Sequence, residues 1–356
     1  MNKKIQFAIF FSIVVIVYYL LNYYSITRIT ELFEIKNNWK IQTITILLTL
    51  SFFASTILTK YYNNSFVKRF YIVSSIWMGI VFLLFSTLII YELINLIIST
   101  NKIISGILIA SLTLILSVYS MIHNFRLDIK EIKIPIKNLK NELTIVQLSD
   151  IHIGAIHGEK LMKKIVNETN KIDPDLVVIT GDWFDGSEHG DDEIFKIINS
   201  IKSPIYFITG NHELYEGDKE VYSIIKKTKV KLLMNEIKKI KGIQLIGINY
   251  SEDKNNLSRV LKSLKINNSK PSILLYHVPK EFKTAVKNNI DLTLSGHTHG
   301  GQIFPFNLIE RIFSKYISGL YKEKDSYLYV SQGTGSWGPP MRLGTVAEIT
   351  KIKLIK

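Results

Sequence analysis

The chain has 356 residues, 47% of them hydrophobic, and a formal net charge of +14. It contains no cysteine, which excludes disulfides, thiolate metal ligands and cysteine nucleophiles. The length allows two structural units. Residues 1–126 hold only Glu31, Glu34 and Glu92 as acids against ten Lys and Arg, and the remainder holds 27 acids against 34 bases. Each part therefore carries +7. Such a surface suits anionic lipid headgroups or nucleic acid, and a bias toward Ile, Lys and Asn produces the same excess without any partner.

Four apolar runs dominate the first part: Ile5–Leu21, Ile41–Leu58, Tyr71–Ile90 and Ile103–Ile122. None contains Lys, Arg, Asp or Glu, and each approaches the ~20 residues that a helix needs to cross the hydrocarbon core. Tyr18, Tyr19, Tyr23, Tyr24, Tyr61, Tyr62 and Tyr91 gather near the ends, where interfacial anchors belong. A signal peptide is the alternative for the first run, but no small-residue cleavage site follows it. The expectation is an all-α membrane region of four helices over residues 1–126, in a multi-pass cell-membrane protein whose partner is the lipid bilayer. Lys3, Lys4, Lys60, Lys68, Arg69, Arg126, Lys130, Lys133, Lys137 and Lys140 fall on one side. Arg28, Lys36, Lys40 and Lys102 fall on the other, which puts both termini and the soluble part in the cytoplasm. No span holds an ionisable pair of the kind that lines a transport path, so the region reads as an anchor and Glu92 as interfacial.

From residue 127 the pattern changes. Ile132–Ile136 alternates around Pro135, as an edge strand does. Short apolar runs follow at Leu143–Leu148, Leu176–Thr180, Ile205–Thr209, Ile243–Ile248, Ser272–Tyr276, Leu292–Leu294 and Tyr327–Val330. Lys160–Ile172 puts Leu161, Ile165, Val166 and Ile172 on one helical face. Strands alternating with helices predict an α/β domain over residues 127–356 with a parallel or mixed sheet, and ligands beyond the carboxyl ends of its strands.

Five of those ends carry metal-ligand chemistry. They read Asp150-Ile-His152, Gly181-Asp182-Trp-Phe-Asp185, Gly210-Asn211-His212-Glu213, a lone His277, and Gly296-His297-Thr-His299. One such end would be a capped turn; five, each offering Asp, Asn or His after a hydrophobic strand, point to a metal site. Carboxylate, amide and imidazole ligands without thiolate suit Mn²⁺, Fe or Zn²⁺ better than Ca²⁺. The set is large enough for two divalent ions, which a shared carboxylate would hold about 3.5–4 Å apart.

In these blocks the chain resembles the calcineurin-like metallophosphoesterases, whose pattern is D-x-H, G-D-x-x-D, G-N-H-(D/E), a lone His and G-H-x-H, here in order from Asp150 to His299. The resemblance implies a two-sheet α/β sandwich with a dinuclear centre at the strand ends. It implies Asp150, His152 and His299 on one ion, Asn211, His277 and His297 on the other, and Asp182 bridging both. His212 would act at the leaving group, with Asp185 orienting its ring. Two cations would make a shared water acidic enough to attack phosphorus as hydroxide and would offset charge in the transition state.

Other residues keep two readings. Arg342, in the Gly333–Arg342 loop, either grips a phosphate or is a surface arginine in a glycine-proline turn. Gln302 contacts substrate or caps its loop. Trp183 and Phe184 wall the site or pack in the core, with the core preferred. His123, His157 and His189 match no motif and are expected to bind no metal. Phe304–Tyr321 reads as an amphipathic helix that packs normally, covers the site or touches the bilayer. The expected function is a membrane-anchored phosphohydrolase acting on a phosphorylated small molecule or a lipid- or nucleotide-linked substrate, with no long duplex nucleic acid. The alternatives are a membrane sensor or scaffold with a structural metal site, a soluble-nucleotide phosphodiesterase, and, less favoured, a nuclease or a transporter.

Overall fold

The structure, a computed structural model, describes residues 3–186 and 192–356. The chain divides into two compact units, Met1–Ile122 with Gly338–Met341, and His123–Trp337 with Arg342–Lys356.

The first unit contains helices α1 (Lys3–Leu32), α2 (Trp39–Tyr61), α3 (Ser65–Asn95) and α4 (Lys102–Asn124). Each is long and apolar enough to cross a membrane. Asparagines start three of them, Asn101 accepting from the N–H of Ile104 ahead of α4. The Asn38 side chain accepts from the N–H groups of Lys40 and Ile41, and that of Asn64 from Val67, satisfying donors that a helix start leaves open. Leu32, Leu84, Leu88, Tyr91 and Ile109 form a buried apolar cluster in the unit, whereas α2 is polar inside and apolar outside. The buried residues of α2 are Thr45, Thr49, Ser55 and Thr59, while Leu47, Leu50 and Ile57 face outward. Between helices, Ser74 Oγ donates to Ser55 Oγ at 2.9 Å and Trp77 Nε1 to Asn22 Oδ1 at 2.9 Å. Such hydrogen bonds hold helices together where hydrocarbon offers no hydrophobic drive. The helices continue past the apolar runs, and those extensions pair Arg28 Nε on α1 with Glu92 Oε1 on α3 at 2.5 Å. Glu92, expected at the interface, is thus bound to a neighbouring helix.

The second unit has two mixed six-stranded sheets with helices around them. One contains β1 (Leu127–Pro135), β2 (Leu143–Leu148), β3 (Leu176–Thr180), β4 (Ile205–Ile208) and β5 (Lys231–Leu232). The other contains β6 (Glu236–Ile240), β7 (Ile243–Ile248), β8 (Ser272–Tyr276), β9 (Leu292–Ser295), β10 (Gly319–Glu323) and β11 (Ser326–Val330). The last strand, β12 (Ala347–Ile355), returns to the first sheet, giving the order β1-β12-β2-β3-β4-β5. The second runs β10-β11-β9-β8-β7-β6. Strand β1 lies at an edge, where Pro135 removes no ladder hydrogen bond that a central strand would need.

Alternation along each strand assigns its residues to layers. Ile145, Val178, Ile208, Leu275 and Leu294 share one core with members from both sheets. The intervening Val146, Leu148, Val177 and Ile179 pack outward against Met162, Ile165 and Val166 of the helix Glu159–Ile172. Met162 and Ile165 are the fully buried apolar members of that helix face, and Leu161 only lines its border. On the far side Ile246, Leu274 and Val330 pack against Leu257 and Val260 of the helix Asn256–Ser263 and against Phe282 and Ala285. Trp183 and Phe184 are buried in the first-sheet core with Phe195 and Phe207. The helix expected over Phe304–Tyr321 covers only Phe306–Phe313. Beyond it Tyr316 packs on Phe282, and the Ile317 carbonyl accepts from Thr298 Oγ1, which draws the chain inward and ends the helix.

Candidate metal centre

Strands β2, β3 and β4 are parallel in one sheet and β8 and β9 in the other, so within each sheet their carboxyl ends share one edge. The turns that follow bring the expected residues together. Asp150, His152 and His299 offer ligand atoms all within 4.8 Å of one another, as do Asp182, His277 and His297. His152 Nε2 lies 3.1 Å from His299 Nε2, and His299 Nε2 lies 3.6 Å from Asp150 Oδ1. His277 Nε2 lies 3.2 Å from His297 Nδ1 and 3.2 Å from Asn211 Oδ1. Asp182 joins the two groups: its Oδ2 is 3.2 Å from His277 Nε2 and 3.9 Å from His152 Nε2.

Glycines allow these approaches. A Cβ on Gly210 would stand 2.1 Å from Asp182 Oδ1, and one on Gly296 would stand 2.1 Å from Asp150 Oδ2. No side chain fits there. The ligand residues accept an uncommon backbone in return: Asp150, His152, Asp182, His297 and His299 all have positive φ, between 50° and 73°.

The donor set fits divalent cations. Ring nitrogens that face each other at 3.1 and 3.2 Å aim lone pairs at shared points, and the buried His299 Nδ1 has no hydrogen-bond partner. Burial holds His299 below its ordinary pKa, reinforced by His152 and Arg342, and pushes His297 down to about 3, so both rings keep lone pairs. Burial opposes charge on His277, yet Asp182 prevails and holds its pKa up to about 10, a pull that a cation at Nε2 would feel in place of a proton. Burial likewise opposes the Asp182 carboxylate, and His277 and His212 hold its pKa well below the usual range. His277 Nδ1–H donates to the Thr180 carbonyl at 2.8 Å, which orients the ring as the outer partner of a ligating histidine does.

His212 lies beside these groups. Its Nδ1–H donates to the Asp185 carbonyl, its backbone N–H donates to Asp182 Oδ1 at 3.0 Å, and its ring sits edge-on to His152 at 4.5 Å. The Asp185 carboxylate instead faces His152 Nδ1, at 3.5 Å. Tyr215 and Trp337 flank the His212 ring at 5.2 and 6.2 Å, and both are about half exposed, forming a rim. Gln302 donates Nε2–H to the Trp337 carbonyl and accepts the Trp337 N–H, each at 3.0 Å.

Arg342 is fully buried. Its Nη2 donates to the carbonyls of Gln332 (2.7 Å) and Gly335 (2.5 Å), so the guanidinium is committed to its own loop rather than displayed to a ligand. His157 is buried and accepts the Ser336 N–H at 2.9 Å; among the described residues neither it nor His123 joins a metal-type cluster. His189 lies outside the described residues.

Sequence reasoning missed the role of Glu213. Its buried carboxylate accepts four backbone N–H groups, from Asp182 (3.0 Å), Trp183 (2.8 Å), Phe184 (3.1 Å) and Gly210 (2.6 Å). Burial, reinforced by Asp182, pushes its pKa up to about 7. It ties the Asp182 turn to the Asn211 turn, and its place in the G-N-H-E block was the available signal. Glu213→Ala strands these donors and should cost about 3 kcal/mol or more, a fall in melting temperature of roughly 6–12 °C, with metal content falling in parallel. Thermal unfolding and metal analysis on one preparation check this.

Two mixed sheets whose strand ends converge on histidines and carboxylates define an α/β metal-site protein. A family model described as calcineurin-like phosphoesterase matches residues 143–301. An uncharacterized metallophosphoesterase of Aquifex aeolicus (strain VF5) is 30% identical over 255 residues, covering 68% of this chain and 97% of that protein. An uncharacterized metallophosphoesterase of Helicobacter pylori (strain ATCC 700392 / 26695) is 36% identical over 243 residues, covering 65% of this chain and 64% of that protein. A transmembrane protein with metallophosphoesterase domain from Bos taurus is 34% identical over 250 residues, covering 63% of this chain and 56% of that protein. The chain belongs to the calcineurin-like phosphoesterase family, which binds divalent metal ions. It matches a little under two thirds of the Helicobacter protein's length.

Proposed function

We propose that this protein is a membrane-anchored phosphohydrolase that cleaves a phosphoester or pyrophosphate bond at a two-metal centre, with Mn²⁺ the preferred ion and Fe or Zn²⁺ the alternatives. The observation that carries the reading is the convergence of two ligand groups on one carboxylate, Asp182. Asp150, His152 and His299 would hold one ion and Asn211, His277 and His297 the other. Divalent cations at such a site supply Lewis acidity toward phosphate oxygens and a more acidic water. The chain itself does the rest. His212, fixed through Nδ1 on the Asp185 carbonyl, keeps Nε2 for the reacting groups. Burial holds the ring below its ordinary pKa while Asp182 and Asp185 pull the other way, so a bound phosphate's negative charge favours the protonated form that donates to a leaving oxygen. Tyr215 and Trp337 offer flat, half-exposed surfaces to the leaving group.

The four helices favour a bilayer as partner and a lipid-linked phosphoester as substrate, with the catalytic unit in the cytoplasm as the loop charges favour. A hydrolysis screen of lipid-linked and soluble phosphoesters, with metal content measured on the same preparation, tests the activity. Mn²⁺-stimulated turnover is expected; a metal-loaded protein inert toward every ester would leave a structural metal site. Protease access to the catalytic unit in sealed vesicles of known sidedness tests the topology.

A further inference from the structure

The helix Phe306–Phe313 is inside out. A surface helix of a globular domain turns its apolar stripe to the core. At about 100° per residue, Leu308, Ile312, Ile309, Phe313 and Phe306 fill one continuous arc, and Glu310, Asn307 and Arg311 fill the opposite one. The apolar arc faces outward: Ile312 is 79% exposed, Phe313 69%, Leu308 54%, and none of the helix's residues is buried. Asn307 and Glu310 are the half-buried pair, and Asn307 Oδ1 has no hydrogen-bond partner. Helix α2 shows the same inversion, with Thr and Ser inside and Leu and Ile outside. Lipid, rather than water, is the solvent that this distribution suits.

The patch belongs to the catalytic surroundings. A Cβ on Gly301, two residues after His299, would stand 2.3 Å from Asn307 Cα, so the helix packs directly on the ligand turn. Phe304, 46% exposed, extends the patch toward Gln302, which holds Trp337 beside His212. Arg311 and Lys315 are exposed at its border, where anionic headgroups would meet them. Only Phe125 and Arg126 separate the end of α4 from the start of β1, so the catalytic unit is tethered by a short linker to whatever bilayer holds the helices.

We propose that Phe304 and the helix Phe306–Phe313 dock onto the bilayer surface, so that the metal centre works at the membrane–water boundary on a phosphoester whose apolar part stays in lipid. This rests on the reading that the four helices cross a bilayer, and the test separates the two. The chain has no cysteine, so Ile312→Cys gives a single attachment point for an environment-sensitive fluorophore in the full-length protein. It is reconstituted in phosphatidylcholine vesicles with phosphatidylglycerol, with Leu108→Cys in α4 as the lipid reference and exposed Lys262→Cys as the water reference. Quenching by spin-labelled lipid at Ile312 should approach that at Leu108 and exceed that at Lys262 several-fold, with access to aqueous iodide reduced to match. Quenching at Leu108 with Ile312 behaving like Lys262 overturns the docking and leaves the spanning helices standing. A label at Ile312 shielded from both quenchers also overturns it, because a protein then covers the patch. Absence of quenching at Leu108 removes the membrane reading and the docking together.

Discussion

Asp182→Ala is expected to abolish hydrolysis and to lower the bound metal from the proposed two ions per chain to less than one. Among the described residues Asp182 is the carboxylate whose Oδ2 lies near both ligand groups, 3.2 Å from His277 Nε2 and 3.9 Å from His152 Nε2, while its Oδ1 accepts the His212 N–H. At the proposed two-metal centre its removal would take a ligand from each ion, and it frees the helix start that carries Asn211 and His212. Loss of an outer-shell partner alone weakens metal binding 10–100-fold, so loss of a shared ligand should exceed about 100-fold. Metal analysis of the purified variant, with circular dichroism to confirm folding, reads this directly. Asp182→Asn keeps the shape without the charge and should fall between the two. A folded Asp182→Ala protein that retained both ions would refute the bridging role.

His212→Ala separates chemistry from metal holding. His212 stands against the ligand cluster but is itself fixed by the Asp185 carbonyl and framed by Tyr215 and Trp337. Its removal should leave metal content unchanged and reduce kcat by about 10²–10⁴-fold, the range that general acid–base groups contribute. The loss should depend on the leaving group. A nitrophenolate departs without a proton and should lose least, whereas an alkoxide should lose most. Equal losses across leaving groups would assign His212 to binding rather than to proton delivery, and unchanged turnover would remove it from the mechanism.

The parts of the site that chemistry dictates were legible, and the parts that packing dictates were not. Asp150, His152, Asp182, Asn211, His277, His297 and His299 follow hydrophobic strands, and few residue types serve at such positions, so the strand ends announced themselves. The four partners of Glu213 are backbone N–H groups, three of them 29 to 31 residues away, and no side chain marks them in the sequence. Arg342 was read as exposed or phosphate-gripping because an arginine in a glycine-proline loop is usually outside; the neighbouring carbonyls that enclose it are invisible to composition. Strand β12 was missed although Ile352 and Leu354 alternate with Lys351 and Lys353 as a half-buried strand should. Its parallel pairing with β1 has no local trace, since it joins residues far apart in sequence. The helix at Phe306–Phe313 was legible as amphipathic, but which way its apolar arc pointed was not, because periodicity carries no sign.

That pairing has a consequence for how the protein is made. Strand β12 lies between β1 and β2, yet Pro135 and Leu143 leave the ribosome long before Ala347. Throughout that interval β1 and β2 lack their common neighbour, and the ladder edges that β12 will fill stand open. The first sheet therefore closes late in translation, after the helical segments are already made, and the nascent domain passes through a gap-edged state that favours chaperone binding and mispairing. A deletion within residues 347–355 would remove an interior strand and leave β1 without its partner rather than trim the sheet's border.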